Sequence, residues 1–169
     1  MIDSMISIRA LEASDWPEVR QIYLNGIATG QATFQTDAPA WEDWDSAHIT
    51  DLRFVAVTPS GEVAGWVALS PVSSRCVYAG VAEVSIYVGE QFRGQKVGFI
   101  LLGHLVSASE QANIWTLQAG IFPENEASVK LHQKLGFRII GPRERVAKQY
   151  GRWRDVYLLE RRSHVVGIN

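Results

Sequence analysis

The spacing of apolar positions predicts a chain in which strands alternate with helices. Apolar residues recur at three- and four-residue steps after residue 14 and again after residue 97, which indicates helices with one apolar face. Short apolar or alternating runs bounded by polar or turn residues indicate strands instead. We expect helices from residue 14 or 15 to about 27, within 29–51, and at 97–113 and 125–135, and strands at 6–11, 54–57, 62–69, 81–88, 115–121, 137–140 and 155–160.

This order of elements predicts an α+β (mixed α/β) fold. An early hairpin is expected around the turn at 58–61, and a β-α-β-α-β run follows in the second half. A helix between two strands favours at least one parallel strand pair. The length of 169 residues, without repeats or linkers, is that of a single domain spanning 1–169.

Composition and charge argue against several classes of partner. Hydrophobic residues make up 47% of the chain, charged residues 20%, and the net charge is −2, so no long-range attraction to nucleic acid or membrane is expected. The one cysteine, Cys76, cannot form an intrachain disulfide. Residues 1–11 lack the features of a signal peptide, and no apolar stretch reaches the roughly 18–20 residues that span a bilayer. We expect a cytoplasmic protein.

Several common chemical motifs are missing from the sequence. The four histidines lie far apart and have no cysteine partners in a ligand pattern, so no metal site is expected. Neither the nucleotide loop Gly-x-x-x-x-Gly-Lys-Ser/Thr nor a dinucleotide Gly-x-Gly-x-x-Gly after the first strand occurs. A Gly-x-Ser-x-Gly nucleophile elbow is also missing.

The clearest chemical signal lies where the strand at 81–88 leads into the helix at 97. The intervening loop contains Arg93-Gly-Gln-Lys-Val-Gly98, in which the glycines allow an anion close to the backbone and Arg93 adds a fixed positive charge. The first turn of the helix adds free N–H groups and a partial positive charge. The motif alone fits either a phosphate site or a tight turn without a ligand.

This loop resembles the pyrophosphate loop of the GNAT superfamily of acetyltransferases, Arg/Gln-x-x-Gly-x-Gly/Ala. Residues 125–137 resemble the GNAT segment in which an asparagine precedes a helix that ends in Gly-Phe. Residues 70–88, with Thr33-Phe34 and Trp153-Arg-Asp155, resemble the phosphinothricin and methionine sulfoximine acetyltransferase branch. The resemblance spans nearly the whole chain and implies a mostly antiparallel sheet with one splayed parallel pair.

The resemblance also implies a reaction. Acetyl would move from acetyl-CoA directly to the α-amino group of a small amino acid or analogue, such as methionine sulfoximine, methionine sulfone or phosphinothricin. The pantetheine arm would pair with the main chain of 86–88 as an added strand does, and the pyrophosphate would lie on the amides of 93–98. The cofactor residues implied in this way are Ile86, Tyr87, Val88, Arg93, Gly94, Gln95, Lys96, Val97, Gly98, Asn125 and Ser128.

Two of these cofactor positions, Lys96 and Asn125, allow more than one structural interpretation. Lys96 stands where the family loop has its middle glycine. If that position needs a positive φ, lysine is strained by about 1 kcal/mol or more. If it needs only close approach, Lys96 can swing outward or pair with a phosphate. Asn125 also fits a helix N-cap, which is compatible with a contact to the cofactor.

Glu83 and His132 are the candidate catalytic residues. Attack on a thioester needs a neutral amine, and a carboxylate in a cleft can take the ammonium proton; partial burial would make Glu83 a better base. The alternative role for Glu83 is that of an edge residue in a salt bridge. His132 stands where the relatives carry a histidine and would share the base role or orient the substrate; the alternative is a histidine on the helix surface.

The acceptor residues implied by the resemblance lie in three segments. The guanidinium of Arg75 suits a substrate carboxylate or phosphinate, and Phe34 would wall the substrate side chain. Cys76 is not expected to be a nucleophile, because nothing nearby marks it as activated. The implied acceptor set is Phe34, Ser74, Arg75, Cys76, Tyr78 and Glu83.

Two other functions and one assembly state stay open at this level. The acceptor could be a protein N-terminus or another amine, or the protein could bind acyl-CoA without turnover. Arg75 argues against a polyamine acceptor, because like charges repel. The resemblance further implies a homodimer formed through the C-terminal strands, where residues 153–159 are apolar enough to contribute.

Overall fold

A computed structural model describes residues 5–169 and confirms the order of elements expected from the sequence. The first four residues of the segment compared with a signal peptide lie outside the described residues. The strands are β1 (Ser7–Ala10), β2 (Arg53–Val57), β3 (Val63–Pro71), β4 (Val81–Val88), β5 (Thr116–Ile121), β6 (Arg138–Gln149) and β7 (Arg152–Arg162); the helices are α1 (Trp16–Ala28), α2 (Trp41–Ala47), α3 (Val97–Gln111) and α4 (Glu126–Lys134).

The seven strands form one sheet in the order β1-β2-β3-β4-β5-β7-β6. Neighbouring strands are antiparallel except β4 and β5, which are parallel. This confirms the α+β (mixed α/β) fold with a central, mostly antiparallel sheet. The parallel pair arises because α3 crosses over the sheet between β4 and β5, as a βαβ connection requires.

Two apolar clusters cover the sheet. Leu101, Leu102 and Leu105 of α3 are fully buried in the first cluster, together with side chains from β2 to β5. The second cluster is rich in tryptophan, with Trp44 and Trp66 buried between α1, α2 and the sheet. Burial of this apolar area is the main free energy that holds the helices against the strands.

The two C-terminal strands are longer than the sequence pattern predicted. Strands were expected at 137–140 and 155–160, whereas β6 and β7 form a hairpin of 12 and 11 residues. Pro142 and the charged residues after it interrupt the apolar pattern. β6 tolerates them because it is an edge strand with one paired side, and two register irregularities absorb the misfit.

An aromatic stack fixes the position of Tyr87 on β4. Its ring stacks on Trp66 of β3 and on Tyr23 of α1, with centroid distances of 4.9 Å in both pairs. α1 can lie this close because it presents Gly26 to the tyrosine, where a Cβ atom would come within 2.7 Å of the ring. Tyr87 is therefore held between the sheet and α1.

The helices that are described are too short or too polar to cross a membrane. This finding concerns residues 5–169.

Candidate active site

The site is built around the place where β4 and β5 separate. The two strands pair over three residues only, from Val81↔Thr116 to Glu83↔Gln118. β4 continues to Val88 along β3, so beyond Glu83 its other side has no paired strand. Main-chain groups on that side must find another partner, because buried N–H and C=O groups are rarely left unpaired. Two cavities lie along this opening.

The larger cavity, of about 930 Å³, lies between the end of β4, the start of α3 and one face of α4. Its wall contains ten of the eleven residues implied for cofactor binding; the other, Gln95, is part of the same loop. Gln95 donates from its side-chain amide to the main-chain oxygen of Gln91 at 3.2 Å. The structure thus brings the implied cofactor residues together.

The loop between β4 and α3 holds two residues in the left-handed region. Gly94 has φ of 74° and Lys96 has φ of 64°, and Lys96 is the N-cap of α3. Of the two possibilities for Lys96, the structure therefore selects the strained one: the position adopts the backbone that favours glycine. A Cβ at residue 94 would meet no atom within 4 Å, so glycine is needed there for its φ and not for space.

Asn125 caps α4, as its second interpretation predicted. Its side-chain oxygen accepts from the Ser128 amide at 3.3 Å, and its side-chain nitrogen donates to the Gln31 carbonyl at 3.2 Å. Asn125 and Ser128 each form part of the wall of the larger cavity and of the wall of a second, smaller one. The cap therefore ties the loop after α1 to the start of α4 at the junction of the two cavities.

The smaller cavity, of about 430 Å³, lies on the other side of this junction. Glu83, His132 and Phe34, all implied from the sequence, line it together with Ser85 and Tyr87 of β4. Tyr87 lines both cavities. A glutamate and a histidine thus line one small cavity that lies next to the larger one.

His132 is buried, with 2% of its surface exposed, so it is not a surface histidine. Its Nδ1 lies 2.7 Å from the Ser128 carbonyl oxygen, which can only accept, so Nδ1 carries the hydrogen. Nε2 is then left with a lone pair, and it has no hydrogen-bond partner among the described residues. Burial lowers the pKa of His132 below the ordinary imidazole value, which keeps the ring neutral.

Glu83 and Tyr87 differ in exposure. The side chain of Glu83 is exposed, so the partial burial expected for it is not found. It forms no salt bridge in the described part of the chain, which removes the alternative role of a paired edge residue. Tyr87 is half-buried, and burial raises the pKa of its phenol, which therefore keeps its proton.

The segment before β4 lies apart from both cavities. Ser74, Arg75, Cys76 and Tyr78 are all exposed, and neither cavity wall includes them. The Arg75 guanidinium lies over the Tyr78 ring, 5.5 Å from its centroid. Among the described residues, the wall of the smaller cavity therefore includes Glu83 and Phe34 but none of the four substrate residues implied for this segment.

Arg143 of β6 is a residue that the sequence reasoning missed. It is the one arginine or lysine in the wall of the smaller cavity formed by the described residues. The signal was weak, because Arg143 follows Pro142 in a stretch that was not predicted to be a strand. Pairing of β6 with β7 carries it to the cavity.

Arg154 was also missed, although it lies inside the Trp153-Arg-Asp155 motif. It donates to the Gly30 carbonyl and to the Gln31 side chain, at 2.9 Å each, and also to Gln149. Gln149 in turn donates to the Thr33 carbonyl at 2.7 Å. These contacts hold the loop after α1 against the C-terminal hairpin, and this loop carries Phe34 into the wall of the smaller cavity.

Comparison with known proteins agrees with this geometry. Residues 7–137 match the acetyltransferase (GNAT) family. YwnH from Bacillus subtilis (strain 168) is 35% identical over 161 residues, covering 92% of this chain and 98% of YwnH. An L-methionine sulfoximine/L-methionine sulfone acetyltransferase from Pseudomonas aeruginosa is 28% identical, covering 91% of this chain and 92% of its own length.

A solved structure shows the same fold with a cofactor. The GNAT superfamily phosphinothricin acetyltransferase from Sinorhizobium meliloti, in complex with acetyl-CoA, has a TM-score of 0.88 and 25% identity to this chain. The alignment covers 98% of this chain and 92% of that one. The present chain belongs to the acetyltransferase (GNAT) family and is an N-acetyltransferase.

Replacing Lys96 with glycine is expected to stabilise the protein. Glycine occupies the left-handed region without a Cβ clash, so the free energy of unfolding should rise by about 1 kcal/mol. Urea unfolding measures this change. Gly94→Ala puts a Cβ on a residue with a left-handed backbone, although no neighbouring atom lies close to it. This variant should lower the free energy of unfolding by a similar amount. A Lys96→Gly variant no more stable than the parent would mean that the lysine's own contacts outweigh the strain.

Proposed function

We propose that this protein transfers acetyl from acetyl-CoA to the α-amino group of a small amino acid or analogue of the methionine sulfoximine and phosphinothricin type. One observation carries the proposal. Two cavities meet at the separation of β4 and β5, one lined by a loop for phosphates and the other by a carboxylate and a neutral imidazole. The names of the relatives support the choice of acceptor.

The larger cavity is the proposed acetyl-CoA site. The pyrophosphate would accept hydrogen bonds from amides of 93–98 and from the first turn of α3, where the helix dipole favours an anion. The pantetheine arm would run along the unpaired side of β4 as an added strand. The thioester would then reach the junction beside Tyr87 and Asn125.

The smaller cavity is the proposed acceptor site. Its volume of about 430 Å³ suits a small molecule better than a protein segment. The acceptor ammonium would approach Glu83, and its proton would pass to Glu83, directly or through water. His132, with its free Nε2 lone pair, is the second candidate for this proton.

Transfer would then be direct. The neutral amine attacks the thioester carbonyl, a C–N bond forms, and the C–S bond breaks as the tetrahedral intermediate collapses. The nitrogen, positively charged after the attack, loses its extra proton through water and so replaces the proton that is given to the thiolate. A main-chain N–H of β4 at the strand separation would stabilise the oxyanion. Tyr87 is the proposed donor of a proton to the leaving thiolate, because it keeps its phenol proton and lines both cavities. Side-by-side binding supplies much of the rate through proximity.

Acetyl-CoA and L-methionine sulfoximine should together release free coenzyme A thiol when the protein is present. A thiol reagent follows this release, and mass spectrometry identifies the N-acetylated product. Screening the other amino acids and a peptide with a free N-terminus in parallel identifies the preferred acceptor. Tight binding of acetyl-CoA without thiol release for any acceptor would contradict the proposal and favour a protein that binds acyl-CoA without turnover.

Replacing Glu83 with glutamine should lower kcat by at least about 100-fold, the usual contribution of a general base. Binding of acetyl-CoA, measured by calorimetry, should stay within a few-fold, because Glu83 lies outside the larger cavity wall. Equal loss of turnover and of cofactor binding would instead indicate a structural role.

His132→Asn is the companion variant. Since burial lowers the pKa of His132, its neutral form persists below pH 6.5, and protonation removes the lone pair only at more acid pH. If His132 takes the proton, kcat/KM for the wild type stays unchanged as the pH passes 6.5, falls only at more acid pH, and His132→Asn removes this acid limb. A limb that survives in His132→Asn but vanishes in Glu83→Gln assigns the proton to Glu83.

The acceptor carboxylate can be assigned by comparing two arginines. Arg75→Ala is expected to raise the amino-acid KM if the resemblance carries over, and Arg143→Ala is expected to raise it because Arg143 lines the smaller cavity. Neither change should alter the KM for acetyl-CoA. An unchanged amino-acid KM removes the corresponding arginine from the acceptor site.

A further inference from the structure

The larger cavity has a charge that the chain as a whole does not share. The sequence has a net charge of −2 and four lysines, and three of these lysines, Lys96, Lys130 and Lys134, line this one cavity. Arg93 lines it as well, and none of the described residues in its wall is an aspartate or a glutamate. Such a surface is built for an anion that carries several charges.

Two of the cations belong to a different element from the phosphate loop. Lys130 and Lys134 lie on α4, four residues apart, so they share one helix face. Two like charges at this spacing weaken a helix slightly, and Glu126, four residues before Lys130, is the acidic residue on the same face. Neither lysine forms an ion pair with a described carboxylate, Glu126 included. By contrast, Arg154 and Arg161 nearby are paired with glutamates at 3.3 and 2.9 Å.

Coenzyme A carries negative charge at two separate places, the pyrophosphate and the 3′-phosphate of the ribose. The loop of residues 93–98 and the first turn of α3 account for one of them. Lys130 and Lys134 of α4 remain as candidates to bind the second charged group.

We propose that Lys130 and Lys134 bind the 3′-phosphate of the coenzyme, so that the protein selects 3′-phosphorylated coenzyme A over dephospho-coenzyme A. This inference rests on the proposed use of acetyl-CoA. An ammonium group at the end of a flexible stem suits a phosphate that is itself exposed to solvent. The pair therefore sets specificity for the coenzyme without contact with the reacting atoms.

Calorimetry with coenzyme A and with dephospho-coenzyme A tests the proposal. The wild type should bind coenzyme A at least about tenfold more tightly, the equivalent of 1.4 kcal/mol. The double variant Lys130→Gln/Lys134→Gln should lose this preference, because its Kd for coenzyme A rises to the value for dephospho-coenzyme A. Its Kd for dephospho-coenzyme A should stay within about twofold of the wild-type value.

Lys148→Gln is the control for the loss of a lysine elsewhere, since Lys148 is the fourth lysine and lies outside the larger cavity wall. It removes one positive charge and should keep the preference. Equal affinity of the wild type for the two ligands would overturn the inference and leave the proposed function standing. A double variant with equally reduced affinity for the two ligands would also overturn it. That result would mean that the lysines attract any anion through their charge and do not bind the 3′-phosphate specifically. If the wild type binds neither ligand, the proposed use of acetyl-CoA fails and the inference fails with it.

Discussion

The separation of β4 from β5 after three residue pairs is the constraint on which the rest of the site depends. Further pairing would close the sheet and bury the main-chain groups of β4 in a ladder. Because the pairing stops at Glu83, one side of β4 is left for a ligand, and a cavity forms on each side of the opening. Beyond the last pair with β5, the aromatic stack on Tyr87 packs the end of β4 against β3 and α1.

The two cavities differ in the charge and in the backbone conformation of the residues that line them. The larger one has four cations in its wall and a loop with two left-handed residues, which suits a polyanion. The smaller one has a carboxylate, a neutral imidazole and one arginine, which suits a zwitterion whose ammonium must lose a proton. The left-handed Lys96 shows that a lysine is placed in this loop at a cost in backbone strain, next to the proposed phosphate site.

The C-terminal hairpin completes the smaller cavity from a distance in sequence. Arg154 and Gln149 bind carbonyl groups of the loop after α1, more than 100 residues earlier, and hold Phe34 at the cavity. β6 carries Arg143 to the wall of the same cavity. The edge strand that looked irregular in sequence is therefore a wall of the proposed acceptor site, and Arg75, which looked suitable, lies outside it.

Local sequence determined the helices, most strands, the glycine-containing loop before α3 and the cap at Asn125, because each depends on residues close together in the chain. The resemblance to a known family added Glu83 and His132. Tertiary structure alone decided the left-handed backbone at Lys96, the burial of His132, the exposure of Glu83 and the position of Arg143 in the wall of the smaller cavity. Those outcomes depend on packing between distant segments, and pairing of β6 with β7 places residues according to sheet register, which periodicity along one strand does not encode.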